Sequence, residues 1–239
     1  METKTHEIAA GVYRFSTAVT GIGPEPFTFN QFLLDADEPL LFHLGQRGFF
    51  PMISGAVAQV TPLERIRYLS FGHVEADECG SLNQWLAAAP RAEVLHSQIA
   101  CQVSLNDLCD RPPRALADGE TVDLGGRRMR WLYTPHVPHG WEAGAMFDET
   151  SGLLLCGDLL THGGDGPAIT DADVAGPACA MEDMFHAMTV SPNTTDVLER
   201  LAALSPTTLA IMHGSSFRGD GASQLRALRA YCCGAGARS

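Results

Sequence analysis

The chain contains no Cys-x-x-Cys pair, and its cysteines number seven, with Cys232 and Cys233 adjacent. That pattern argues against a disulfide framework and for reduced thiols in a cytoplasm, most of them small apolar fillers. No uninterrupted apolar run is long enough to span a bilayer. The start, "METKTHEIAAGVYRF", lacks a basic segment followed by an apolar one and so does not read as a secretory signal. Basic residues are scarce: 16 Lys and Arg stand against 28 Asp and Glu, for a formal charge of -12. With no basic cluster to offset it, that charge argues against a nucleic-acid surface. Linkers, repeats and low-complexity segments are also missing, so one domain over residues 1–239 is expected. What is present is 45% hydrophobic and 18% charged residues, enough for a sizeable core.

Period-two patterns predict strands in "EIAAGVYRFS" and in "FTFNQFLLDADEPLLFHLG", the latter turning at Asp35–Pro39. "PMISGAVAQV" has the composition of a helix. "RIRYLSFG" and "AEVLHS" read as strands, while "DECGSLNQWLAAAP" carries helical spacing that stops at Pro90. Two hairpins follow, one turning at Gly125-Gly126 and one at Thr150–Gly152. A helix in "TTDVLERLAAL", a strand in "TTLAIMHG" and a helix in "GASQLRALRAYC" close the chain. This order suits two mixed β-sheets packed face to face with helices on the outer faces, an αββα sandwich. The Met-rich "CAMEDMFHAM" reads as core packing on an amphipathic helix, or as methionines that shape access to a neighbouring site.

The chemistry concentrates where apolar runs end. "YLSFG" is followed by His73, Glu75 and Asp77 on alternate residues, which extended backbone points to one side. "TPHVPHGW" supplies His136 and His139, "LLLCGDLL" supplies Asp158, and "LAIMHGSS" supplies His213. Imidazoles and carboxylates delivered to one sheet edge need partners, and a divalent cation satisfies several at once.

The order H-x-E-x-D, then His, then Asp after Gly, then His resembles the metallo-β-lactamase fold. Glutamate at Glu75, where zinc hydrolases of this fold carry histidine, resembles the diiron branch: flavodiiron and stand-alone oxygen-binding diiron proteins. The interval from His139 to Asp158, 19 residues, matches that branch; His136 fits it worse. The resemblance implies two metal ions, iron before zinc or manganese. His73, Glu75 and His139 would hold one ion and Asp77 and His213 the other, with Asp158 between them. It further implies O2 or NO as ligand, electrons from a separate donor protein, and a dimer. Two departures stand out. The histidine that often follows the aspartate is replaced by Glu78, an added oxygen ligand or a solvated first-turn residue favoured by the helix dipole. The aspartate common near His43 or Leu44 is missing. No flavodoxin-like domain follows the last helix, so no FMN site is expected in this chain.

His136 is expected to play a structural role or to brace a ligand, and His162 and His186 to line the pocket or to sit on the surface. His43 and His96 are expected to lie in strand or hairpin positions without chemistry. A metal-dependent hydrolase acting on a thioester, lactone or phosphoester is the alternative activity, and an inactive scaffold the third.

Overall fold

The computed structural model describes residues 1–236. One seven-stranded sheet runs in spatial order through β1 (Thr3–Ala9), β2 (Val12–Val19), β3 (Phe27–Leu34), β4 (Leu40–Phe42), β5 (Tyr68–Ser70), β6 (Glu93–Ser97) and β7 (Arg114–Leu116). Pairing is antiparallel from β1 to β4 and parallel from there on. The second sheet contains β8 (Thr121–Asp123), β9 (Arg128–Tyr133), β10 (Gly144–Asp148), β11 (Leu153–Leu155), β12 (Ile169–Thr170), β13 (Thr208–Ala210) and β14 (Ser216–Arg218). Its spatial order is β12-β14-β13-β11-β10-β9-β8.

Alternation along the strands builds three apolar layers. In β3 and β4, Phe32, Leu34, Leu40 and Phe42 meet Trp131, Met146, Leu153 and Leu155 of the opposite sheet. Their neighbours Leu33 and Leu41 point outward onto helices α1 (Phe50–Val57) and α3 (Leu82–Ala88). On the other side Leu154 and Leu209 pack against α4 (Ala175–Phe185), α5 (Thr194–Ala203) and α6 (Gly221–Gly236). Central strands covered on both faces therefore read as unbroken apolar runs such as "LLL", as expected of buried strands. The short α2 (Ala76–Cys79) lies between β5 and α3. Among the described residues no helix is long and apolar enough to cross a membrane.

The sandwich is the expected αββα architecture, with four local differences. "EIAAGVYRFS" is the inner part of a β1–β2 hairpin, because Gly11 takes φ 66° and reverses the chain. The helix expected over "DECGSLNQWLAAAP" breaks into α2 and α3. The Ser81 N–H leaves the helical ladder for the Gly45 carbonyl, and its hydroxyl donates to Leu44. The "TTLAIMHG" strand ends at Ala210, freeing the chain to turn at His213. Finally, the Met-rich α4 buries only Ala175 and Ala178; Met184 and Phe185 are exposed. An amphipathic pattern cannot distinguish a face that packs on the core from one that rims a cavity.

Gly144 is a required small residue. Its N–H donates to the Gly72 carbonyl at 2.8 Å, tying the exit of β5 to the start of β10. A Cβ there would lie 2.2 Å from the buried Trp131 ring. Gly144→Ala is expected to cost about 1–3 kcal/mol by overpacking, measured as a lowered midpoint in urea unfolding; an unchanged midpoint would contradict this packing.

Candidate metal centre

Four strand ends deliver the site. His73 and Glu75 follow β5 across a bend closed by the Glu75 N–H to the His73 carbonyl at 3.0 Å, with Glu75 itself extended at φ -135°, ψ 156° just before α2. Asp77 arrives differently from the alternate-residue expectation: it sits in the first turn of α2, which swings it away from Glu75 toward His213. His139 lies on the β9–β10 loop. There the His136 N–H donates to Gly140 and the Val137 N–H to Thr134, at 2.8 and 2.9 Å. Asp158 follows β11 and His213 follows β13; the Met212 N–H donates to the Gly157 carbonyl at 3.2 Å, joining the two strand exits.

The side chains form two groups that share Asp158. Donor atoms of His73, Glu75, His139 and Asp158 lie within 4.8 Å of one another. Within that group His73 Nε2 is 2.7 Å from Glu75 Oε2 and 2.9 Å from His139 Nε2. His139 Nε2 is 3.3 Å from Glu75 Oε2 and 3.4 Å from Asp158 Oδ2. The other carboxylate oxygen, Asp158 Oδ1, faces His213 Nε2 at 3.2 Å, and Asp77 Oδ2 faces the same nitrogen at 3.3 Å. His213 Nδ1 is 2.8 Å from the Thr28 carbonyl, so Nδ1 carries the proton and Nε2 is free to coordinate. The Phe27 ring stacks on this imidazole, with centroids 4.3 Å apart.

These residues fit a metal. Donors bonded at about 2.1 Å to one ion are separated by about 3.0 Å at right angles and about 3.4 Å in a tetrahedron; the distances within the first group, 2.7 to 3.9 Å, bracket those values. The buried Asp77 Oδ1 and Asp158 Oδ1 accept no hydrogen bond. A buried carboxylate oxygen without a donor is costly unless a cation completes it.

Charge confirms the concentration of opposite signs. Burial opposes the His73 imidazolium, yet the nearby Glu78 charge and the hydrogen bond to Glu75 raise its pKa to about 12. Burial likewise opposes protonation of His213, but Asp158 and Asp77 raise it to about 10. His139 is raised by its hydrogen bond to Glu75. Glu75, bonded to His139 and His73, falls to about 2. Burial would raise Asp158, but His213, His73 and His139 hold it well below the usual carboxylate range. Without a metal, then, protons do the work of cations here. The side chain of Glu75 is 54% exposed, so the pocket opens on its side.

All six expected residues are brought together. Glu78 is neither solvated nor among the converging donors. It is fully buried behind His73, where its Oε2 accepts the N–H of Gly72 and, at 3.0 Å, that of His73. His43 also departs from expectation: fully buried at φ 61°, it places Nε2 3.7 Å from Glu78 Oε1. Burial lowers its pKa and keeps it neutral, so this is not an ion pair. His96 lies in β6, buried between Phe71 and Trp131. His162 braces the His213 loop, its Nε2 accepting the Ser215 N–H at 2.9 Å. His136 is exposed and serves the turn through its backbone. His186 caps α4 at φ 51° and lines a separate surface cleft, not the metal pocket, because the left-handed cap turns it outward. Glu142 has no counterpart in the sequence reading: buried, it accepts the Val74 N–H at 2.9 Å and holds the loop after His73. No spacing rule singles it out.

Above the donors lies a cavity of about 250 Å³, walled by Ile22, Phe27, Leu160, Met181, Phe185 and Met188. Apolar walls over a floor of imidazoles and carboxylates are the form of a small-molecule site.

The sandwich with this edge site defines a metallo-β-lactamase-fold protein of the diiron branch. The profile of the family described as "ODP family beta lactamase" matches residues 27–214, and the chain belongs to that family. Diflavin flavoprotein A 1 of Synechocystis sp. is 23% identical over 198 residues, covering 80% of this chain and 34% of the relative. Coenzyme F420H(2) oxidase of Methanothermobacter marburgensis is 25% identical, covering 72% of this chain and 45% of the relative. The chain thus spans less than half the length of these relatives. Among solved structures, rubredoxin oxygen:oxidoreductase of Desulfovibrio gigas superposes with a TM-score of 0.84 at 19% identity, over 96% of this chain and 61% of that one. The Flv1 flavodiiron core of Synechocystis sp. gives 0.85 at 21% identity, over 97% and 61%.

Proposed function

We propose that the site holds two iron ions and that the protein binds O2 or NO there and reduces it with electrons from a separate donor protein. His73, Glu75 and His139 would hold one ion and Asp77 and His213 the other, with Asp158 shared. The observation that carries the reading is the split of one carboxylate, with Asp158 Oδ2 toward His139 and Oδ1 toward His213. His73, Asp158 and His213 each stand three residues beyond the end of a buried strand, which holds these donors close together without an ion. Three carboxylates among the six favour iron or manganese over the softer ligation typical of zinc sites. A pair of bound iron ions would supply two electrons together to a diatomic ligand.

The chain's own residues set the surroundings. Phe27, Leu160 and Met181 wall the cavity above the donors and give it an apolar approach suited to an uncharged diatomic molecule. Glu75, partly exposed, is the ionisable ligand placed to pass protons between solvent and the pocket floor. The names of the Desulfovibrio and Methanothermobacter relatives, one an oxygen oxidoreductase for rubredoxin and one an F420H(2) oxidase, support oxygen chemistry fed by an external donor.

The test is metal quantification of iron-loaded, anaerobically purified protein together with its optical response to air. Two ions per chain and a new near-ultraviolet to visible band on exposure to O2 are expected. One ion or none under iron-replete conditions, or chelator-sensitive turnover of a thioester with no response to O2, would replace this reading with the hydrolase.

A further inference from the structure

We infer that Glu78 is a positioning residue for the metal-binding form of His73: its carboxylate fixes the imidazole with the proton on Nδ1 and the lone pair of Nε2 directed at the centre. The inference rests on the metal reading above and concerns a residue outside its ligand set.

The geometry is that of a built support. Glu78 is fully buried, and its Oε2 takes two backbone N–H groups, those of Gly72 and His73. Its Oε1 stands 3.1 Å from His73 Nδ1. That contact is bent and falls short of an aligned hydrogen bond, leaving Oε1 with no other donor. His43, the next nearest group, stays 3.7 Å away and spends its own Nδ1 on the Asn30 carbonyl at 3.1 Å. A carboxylate oxygen can only accept, so the nitrogen facing it must be the N–H. The opposite nitrogen, Nε2, is the one that faces Glu75 and His139. The approach also depends on Gly72, where a Cβ would stand 3.0 Å from both carboxylate oxygens and 3.2 Å from the Gly157 Cα. The backbone is thus opened for this carboxylate.

A carboxylate behind a ligating imidazole orients the ring and raises its basicity. A glutamine at this position has one acceptor and one donor where two acceptors are needed. If its oxygen serves the two backbone N–H groups, its NH2 faces Nδ1 and selects the tautomer that cannot ligate. If it serves Nδ1, the NH2 confronts the backbone donors.

The experiment compares wild type with Glu78→Gln by titrating Zn2+ into the metal-free full-length chain. Removing such a support costs about 10- to 100-fold in affinity, and that loss is expected for the ion held by His73. The ion held by Asp77 and His213 shares Asp158 with the first, so some weakening reaches it, and its loss is expected to be clearly the smaller of the two. Equal affinities in the two proteins, or equal weakening of both ions, would overturn the inference while leaving the metal site standing. A wild-type chain that takes up no Zn2+ or iron would overturn the metal reading and this inference with it. Should the variant not fold, nitrogen-15 NMR of the Zn2+-loaded wild type decides: His73 must show a protonated Nδ1 and a metal-bound Nε2, and the reverse arrangement refutes the assignment.

Discussion

Asp158→Asn is expected to lower the metal content from two ions to one or fewer per chain, with the remaining ion bound at least about 100-fold more weakly. The reasoning is geometric and electrostatic. Asp158 is the member common to both donor groups, its two oxygens pointing in different directions: Oδ2 lies 3.4 Å from His139 and 3.9 Å from His73, and Oδ1 lies 3.2 Å from His213. Asparagine keeps the shape but offers one coordinating oxygen, so one group must lose a ligand. The substitution also deletes a negative charge amid three imidazoles, and breaking a buried charge pair by removing one partner costs about 3–5 kcal/mol. Some 1.4 kcal/mol per tenfold turns even the lower figure into more than about 100-fold. Elemental analysis after gel filtration measures the result. Asp165→Asn, which removes the exposed partner of Lys4 and none of the six donors, is the control expected to keep both ions. Two ions retained in the Asp158 variant would end the shared-ligand assignment.

The residues behind this prediction were legible because burial leaves a mark on composition. "YLSFG", "LLLCG" and "LAIM" are apolar on both faces, and a polar residue directly after each must lie where a strand leaves the sheets. What supports the ligands was not legible. Glu78 follows Asp77 at the start of a helix, where a solvated carboxylate is the ordinary outcome. Its burial depends on two backbone N–H groups and on a missing Cβ at Gly72, which a one-dimensional pattern does not display. His43 reaches Glu78 because β4 pairs in parallel with β5, a partnership set by the whole sheet. The turn at Gly11 was hidden for a related reason. "AAGV" continues the composition of a strand, and only the positive φ of the glycine marks the reversal.

The second large effect is the dependence of stability on metal and pH together. In the metal-free chain His73 and His213 have pKa values raised to about 12 and about 10, and His139 is raised as well. Groups raised on folding contribute fully below their unfolded value of about 6.5, and that contribution drains away as pH rises toward the folded values. Glu75, lowered to about 2, and Asp158, also lowered, contribute above the unfolded carboxylate value of about 4 and lose that contribution as pH falls. The buried His43, His96 and His162, whose pKa values burial lowers, act oppositely and lose their contribution below about 6.5, so the metal-free fold should be most stable at about pH 6.5. Metal binding runs the other way, because the imidazole protons must leave before the nitrogens can ligate. At about a thousandfold excess of ion over its dissociation constant the stabilisation is about 4 kcal/mol. For a domain of this size that raises the midpoint by about 8–16 °C. Calorimetry of the metal-free and metal-loaded chains should show a gap of that order, wider at pH 8 than at pH 6, with proton release on binding in buffers of different ionisation enthalpy. A gap that narrows with rising pH would mean that these imidazoles are not the groups the metal displaces protons from.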